Sequence, residues 1–236
     1  VHLHIGSQGC DLNMLVKGAR KIVDLAEKIN LQLKQKAKQK RITTIDIGGG
    51  LPVSYHREAK AIDLTLYRNE LASAVPELFS GKYSLITEFG RFVHTNAGWT
   101  ASRVEYVKEF AENKTAMIHT GADMFIRECY NPEDWPHEIL VTDQYGRIKK
   151  GSDPKKYMIA GPLCFAGDII RKNISLPEIV PGDYVIIKDT GAYTFSMWSR
   201  YNSRQIPVIT GYYDNGKAFE VIRKRESPDD LVKFWS

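Results

Sequence analysis

Strand and helix patterns alternate through the first part of this chain, and few folds admit that order. Residues 1–5 read as a short alternating strand. Asp11 is placed to cap a helix in which Leu12, Leu15, Val16, Ala19, Ile22, Val23, Ala26 and Ile29 recur at spacings of three and four. Residues 42–47 form a second strand pattern, which runs into Gly48-Gly49-Gly50. Leu64, Tyr67, Leu71, Val75 and Leu78 mark a second helix face, and residues 84–88 a third strand. Parallel neighbours need a crossover of a dozen or more residues, so β-α-β-α-β predicts a parallel sheet with crossover helices.

The pattern changes after about residue 95. Strand-like stretches follow at 104–110, 115–119, 138–142, 157–159, 184–188, 207–213 and 218–223, separated by turn signals such as Pro181-Gly182-Asp183 and Asp214-Asn215-Gly216. Ser227-Pro228-Asp229-Asp230 is placed to cap a final short helix. Two units are expected: a parallel α/β piece over residues 1–95 and an antiparallel β domain over 96–236. The 236 residues allow this, and 43% apolar content supplies cores. No apolar run approaches the ~20 residues of a membrane span, and the opening residues lack a signal-peptide pattern. Three cysteines cannot close a disulfide framework, so a reducing, cytoplasmic compartment is expected. Lys34, Lys36, Lys38, Lys40 and Arg41 account for the net charge of +5. They lie at a helix end with no interleaved aromatics, so they read as a solvated face, with no nucleic-acid or membrane partner.

Functional groups of parallel α/β folds gather at the carboxyl ends of the strands. The first strand here ends in His4-Ile5-Gly6-Ser7, the second in Gly48-Gly49-Gly50, the third in Glu88-Phe89-Gly90-Arg91. A glycine run lets backbone amides approach an anion, and phosphate is the usual guest. Ser7 and Arg91 would add donors to it. His4 could lie against an aromatic ring, and Glu88 could hold a proton on a ring nitrogen. Each piece has a plain structural explanation: a tight βα turn, a core histidine, a salt-bridged turn. Their convergence at three strand ends points to a phosphorylated, nitrogen-containing aromatic cofactor.

In order, HIGSQ, DIGGGLP, EFGR, GPLCFAGD and GAYTFSMWSRYNSR resemble the motifs of the pyridoxal-phosphate decarboxylases built on the alanine-racemase-like (fold type III) barrel, diaminopimelate decarboxylases above all. The likeness implies the second half of a (β/α)8 barrel followed by an antiparallel β domain. It implies pyridoxal 5'-phosphate as cofactor, a small amino-acid substrate, and a homodimer with shared active sites. His4 resembles the residue stacking on the cofactor ring. Ser7, Gly48, Gly49, Gly50, Gly90 and Arg91 resemble its phosphate cradle, and Glu88 the partner of the pyridine nitrogen. Tyr193 resembles a phosphate or substrate contact, and Cys164 the donor that reprotonates the carbanion. The segments Ile126-Arg127-Glu128-Cys129-Tyr130 and His137-Glu138-Ile139 resemble a substrate-binding stretch. That makes Arg127 and Tyr130, with Arg91 and Tyr193, substrate candidates. Cys10 and Cys129 read as structural.

Four features depart from the family pattern. Phe89 and Glu128 stand where the family usually has Pro. Phe165 stands where it usually has Glu or Asp facing the substrate's distal end, so a substrate less polar there than diaminopimelate is expected. No lysine has the strand setting of the family's Schiff-base lysine: Lys17, Lys21 and Lys28 fall in a helix pattern, and Lys108, Lys114 and Lys188 in the β region. With the absence of an initial Met at Val1, this leads to the expectation of a C-terminal portion of a longer protein, inactive alone. Three other readings compete. One is a catalytically inactive, binding or regulatory relative. Another is a racemase of the same fold, which would need a catalytic Tyr. The last is a metal hydrolase begun by His2 and His4, which share one side of a strand but find no further His or Asp at the later strand ends.

Overall fold

A computed structural model describes residues 1–36, 41–55, 62–111, 113–151 and 153–236. Lys38 and Lys40 of the basic run lie outside the described residues. The chain forms two compact units: Val1–Thr100 with Ile187–Tyr193, and Ala101–Ile186 with Thr194–Ser236. The first unit therefore takes in a segment that the sequence boundary at residue 95 assigns to the β domain.

The first unit holds α1 (Leu12–Gln35), β1 (Thr44–Asp46), α2 (Leu64–Ala74), β2 (Ser84–Ile86) and α3 (Gly90–His94). Asp11 caps α1 by accepting the Met14 N–H at 2.6 Å. Asp63 caps α2 by accepting from Thr65 and Leu66. Strands β1 and β2 pair in parallel, with Ile45 opposite Leu85. The first segment joins on the other side of β1 through a parallel bridge between His2 and Asp46. The three expected strands are thus side by side, but β1 and β2 hold only three residues each. Their ends run on, still close together, into glycine-rich and polar segments.

One core closes this unit. Leu15, Ala19, Ile22, Val23 and Ala26 of α1 pack with Ile45, Ile47, Leu51, Tyr67, Leu71, Val75, Leu78 and Tyr83. Fully burying a Leu, Ile or Val side chain stabilises by about 1.5–3 kcal/mol. Leu64, expected on the buried face of α2, is 47% exposed. It is the first helical residue, a turn ahead of the covered part of α2. Arg20 ties α1 to the turn that follows α2, donating from Nη1 to Glu77 at 2.8 Å and pairing with Asp24 one turn along α1.

The second unit carries most of β3 (Trp99–Phe110), then β4 (Asn113–Ile118), α4 (Ile126–Tyr130), β5 (Ile139–Thr142), β6 (Lys155–Ala160), β7 (Ile169–Leu176) and the first three residues of β8 (Tyr184–Lys188). The strands form one sheet in the order β5-β8-β3-β4-β6-β7. Pairs β3–β4 and β6–β7 are antiparallel, whereas β4 and β6 run parallel. The long connection over 119–154 allows that parallel pairing. Strand β7 has no counterpart among the sequence-predicted strands. Asn173 in a left-handed conformation (φ 54°) breaks its alternation.

β9 (Ile209–Tyr213) and β10 (Ala218–Arg223) form the expected hairpin, turned by Asn215 (φ 54°) and Gly216 (φ 84°). Helix α5 (Pro228–Trp235) starts with a capping box between Ser227 and Asp230. Arg200 anchors this end of the chain, donating to both Glu226 oxygens at 2.9 and 2.8 Å and lying 4.2 Å from the Phe234 ring centre.

The hydrogen bond from Arg20 holds the Glu77 carboxyl below the usual carboxylate range. A depressed acid stabilises the fold above its ordinary value, and the contribution is lost as pH falls through the native value. Glu77→Gln is therefore expected to lower the thermal midpoint at pH 7. The gap to the parent should close below pH 4.5, as followed by circular dichroism.

Candidate active site

The glycine triplet is packed backbone to backbone between the two neighbouring strand ends. A Cβ on Gly48 would overlap the carbonyl oxygen of Leu3, and one on Gly50 that of Gly6. On Gly49 it would stand 2.6 Å from the carbonyl oxygen of Glu88. Gly48 (φ 69°) and Gly50 (φ 94°) also need left-handed backbone. Because no side chain rises from the middle lane, His4 and Glu88 meet across it. His4 Nδ1 lies 3.9 Å from Glu88 Oε2, and His2 Nε2 lies 3.6 Å from the same oxygen. The Gly49 N–H points at His4 Nδ1 at 3.3 Å. His4 Nε2 lies 3.4 Å from Ser7 Oγ.

A cationic pole stands beside this group. Arg91, 5% exposed, opens α3 with Gly90. It donates from Nε to the Ser7 carbonyl at 3.3 Å and from Nη1 to the Tyr55 hydroxyl at 2.9 Å. Its guanidinium lies 4.2 Å from the centre of the Tyr193 ring. Tyr193 gets there because Gly98 and Gly191 cross in close contact, where a Cβ on Gly98 would be 2.6 Å from Gly191 Cα. Thr190 N–H donates to Gly98 O at 2.9 Å, and Gly191 N–H to Thr95 O at 3.0 Å. Tyr193 itself adopts φ 58°, a conformation that costs a non-glycine residue roughly 1–2 kcal/mol.

His4, Ser7, Gly48, Gly49, Gly50, Glu88, Gly90, Arg91 and Tyr193 thus all lie in the first unit. Gly90 is not forced by crowding, since a Cβ there would meet nothing within 4 Å. The chemistry of the set, hydroxyls, a guanidinium, glycine backbone, an imidazole and a carboxylate, fits a phosphorylated pyridine. Tyr55 was absent from the sequence-predicted set. It follows DIGGGLP by a few residues, but no pattern in the sequence ties it to Arg91. The His2–His4 pair gains Glu88, not a later His or Asp. Their ligand atoms lie within 4.8 Å of one another, all three residues are exposed, and no other such group occurs among the described residues.

Cys164, Arg127 and Tyr130 lie in the second unit. Cys164 is exposed. Next to it, Phe165 stacks on Tyr130 with ring centres 5.6 Å apart and planes 23° from parallel. Arg127 lies 4.8 Å from the Trp135 ring centre. Glu128, in the place of the expected Pro, forms a buried pair with His137 at 2.7 Å. Cys10 is buried, and burial pushes the Cys129 thiol up to about 12.

The site and the fold define a class. The chain belongs to the pyridoxal-dependent decarboxylases: the family described as "Pyridoxal-dependent decarboxylase, C-terminal sheet domain" matches residues 17–191. The cofactor of this family is pyridoxal 5'-phosphate, and its fold is an α/β barrel followed by a β domain. Among individual proteins, the chain is similar to diaminopimelate decarboxylase of Archaeoglobus fulgidus, 31% identical over 244 residues, covering 99% of this chain and 52% of the relative. The same enzyme of Helicobacter pylori is 32% identical over 233 residues, covering 98% and 53%. A crystal structure of H. pylori diaminopimelate decarboxylase with L-lysine superposes with a TM-score of 0.81 at 29% identity, covering 99% of this chain and 53% of that one. The chain spans about half the length of the curated relatives it matches.

Two measurements probe this geometry. Gly49→Ala should destabilise the fold by about 1–3 kcal/mol through overpacking against the Glu88 carbonyl, read by denaturant unfolding. Iodoacetamide at pH 8 should label Cys164 first, since a thiol at about 12 is only roughly one part in ten thousand thiolate there. Peptide mass spectrometry identifies the modified residue.

Proposed function

We infer that this chain forms the cofactor-cradling and proton-donating part of a pyridoxal-phosphate-dependent amino-acid decarboxylase, a carbon–carbon lyase. The observation that carries the reading is the meeting of His4 and Glu88 over the side-chain-free lane of Gly49, next to the buried Arg91. Ser7, Gly48, Gly49, Gly50, Gly90, Arg91 and Tyr193 would hold the phosphate. His4 would stack on the ring, and Glu88 would keep the ring nitrogen protonated. The bound cofactor supplies an electron sink for the pair left on the substrate's α-carbon as carbon dioxide departs. The Cys164 thiol then gives its proton to that carbon and recovers one from water. Arg127 and Tyr130, with Arg91 and Tyr193, are assigned to substrate, and a homodimer is proposed to join sites from two copies.

The lysine that links the cofactor covalently is assigned to the part of the relatives that this chain does not span. Lys17, Lys21 and Lys28 sit on α1, Lys108 and Lys114 on β3 and β4, and Lys188 on β8. That distribution also favours a second reading, a cofactor-binding relative without turnover.

The Phe165–Tyr130 stack presents aromatic surface where an acid would pair with a distal ammonium. Burying that cation without a partner is costly. A substrate with an apolar or neutral distal end is therefore proposed over diaminopimelate. Carbon dioxide release from a panel of amino acids tests both points in the cofactor-loaded enzyme containing this chain. The expected result is cofactor-dependent turnover, reduced at least about 100-fold by Cys164→Ala, with diaminopimelate not preferred. Diaminopimelate as best substrate refutes the specificity, and release from no amino acid leaves the binding-protein reading.

A further inference from the structure

The tip carrying Cys164 is held by two side chains to which neither the motif likeness nor the proposed chemistry gives a role. The Cys164 N–H donates to Asn202 Oδ1 at 2.9 Å, and the Tyr201 hydroxyl donates to the Cys164 carbonyl at 2.8 Å. Together these bonds fix the peptide planes before and after Cys164. Its backbone torsions are then set, and Sγ retains one free torsion, χ1. Asn202 reaches the amide from a left-handed turn (φ 56°), a conformation that Asn and Gly adopt more readily than other residues.

Loop and turn share one base. Asp168 closes the loop: its carboxylate, 4% exposed, accepts the Leu163 N–H at 2.7 Å and the Ala122 N–H at 2.6 Å. A Cβ on either Gly121 or Gly161 would overlap that carboxylate, so the two glycines make its seat. The turn is braced on both flanks. Arg200 pairs with Glu226, and Arg204 lies 3.4 Å from Asp123 and donates to the His119 carbonyl. Ser199 N–H also donates to Asp123 O at 2.9 Å. Residues 121–123 therefore anchor both the loop that bears Cys164 and the turn that bears Asn202.

We propose that Asn202 and Tyr201 are positioning residues that aim the Cys164 thiol for proton delivery. The proposal rests on the reading of Cys164 as proton donor. A proton donor displaced by about 1 Å can lose on the order of 100-fold in rate.

The test uses the pyridoxal-phosphate-loaded enzyme that contains this chain. Asn202→Gly keeps the left-handed turn and removes only the acceptor. Asn202→Asp restores an acceptor oxygen, and Tyr201→Phe removes a single hydroxyl from an exposed ring. The expected result for Asn202→Gly and Tyr201→Phe is a fall in kcat of about 10- to 100-fold with KM within about twofold. Turnover in heavy water should then place deuterium in mixed configuration, where the parent gives one. Asn202→Asp should recover most of the parent rate. Parent-like kcat in both Asn202→Gly and Tyr201→Phe, with Cys164→Ala inactive, overturns the proposal and leaves the donor role standing. Full activity of Cys164→Ala overturns the donor role and the proposal together. Parallel loss of kcat, KM and thermal midpoint in both variants, without rescue by Asn202→Asp, reduces the two residues to structural supports and also overturns it.

Discussion

Backbone-to-backbone contact at Gly48, Gly49 and Gly50 sets the geometry of the first unit. Each glycine touches a different neighbour: the Leu3 carbonyl, the Glu88 carbonyl and the Gly6 carbonyl. Three strand ends are thereby brought closer than any side chain would permit. Beyond the three-residue β1 and β2, the Ile47 N–H still donates to Ile86 O and the Glu88 N–H to Gly48 O, so the two strand ends stay joined into the triplet. The meeting of an imidazole and a carboxylate across the middle strand depends on the same empty lane. Packing of α1 and α2 beneath supplies the stability that holds the lane in place, and the Arg20–Glu77 pair ties α1 to the turn that follows α2.

The two units place their polar groups in a similar way. In the first, buried Arg91 is fixed by the Ser7 carbonyl, the Tyr55 hydroxyl and the Tyr193 ring, while His4 and Glu88 stay exposed. In the second, buried Asp168 is seated between Gly121 and Gly161, while Cys164 is exposed at the tip of its loop. In both, a buried charged side chain held by several partners lies beneath a more exposed polar group.

Local signals carried much of the fold. The caps at Asp11 and Ser227 and the Asn215-Gly216 turn act within a few residues, and each stands where its pattern places it. Long-range pairing was less legible. The parallel β4–β6 pair depends on a 119–154 connection that carries no register signal, and Asn173 hides β7 by breaking alternation. That the strand-end residues come together was legible, because neighbouring parallel strands end at one edge of their sheet. Tyr55 was not, because a tyrosine beyond a glycine turn carries no local mark of the arginine it meets. The bonds of Tyr201 and Asn202 to Cys164, and of Asp168 to Ala122, were equally hidden: the donors and acceptors lie 37, 38 and 46 residues apart.

The crossing of Gly98 and Gly191 also bears on how the chain is assembled during synthesis. The first unit lacks its last piece, Ile187–Tyr193, until residues 101–186 have been made. At ribosomal speeds that interval is on the order of ten seconds. Throughout it, Arg91 has no Tyr193 ring over its guanidinium. The contact that completes the unit is also among its most distant in sequence, which places it late and slow in folding. The first unit is therefore begun first, and its closure waits until residues 101–186 of the second have been made.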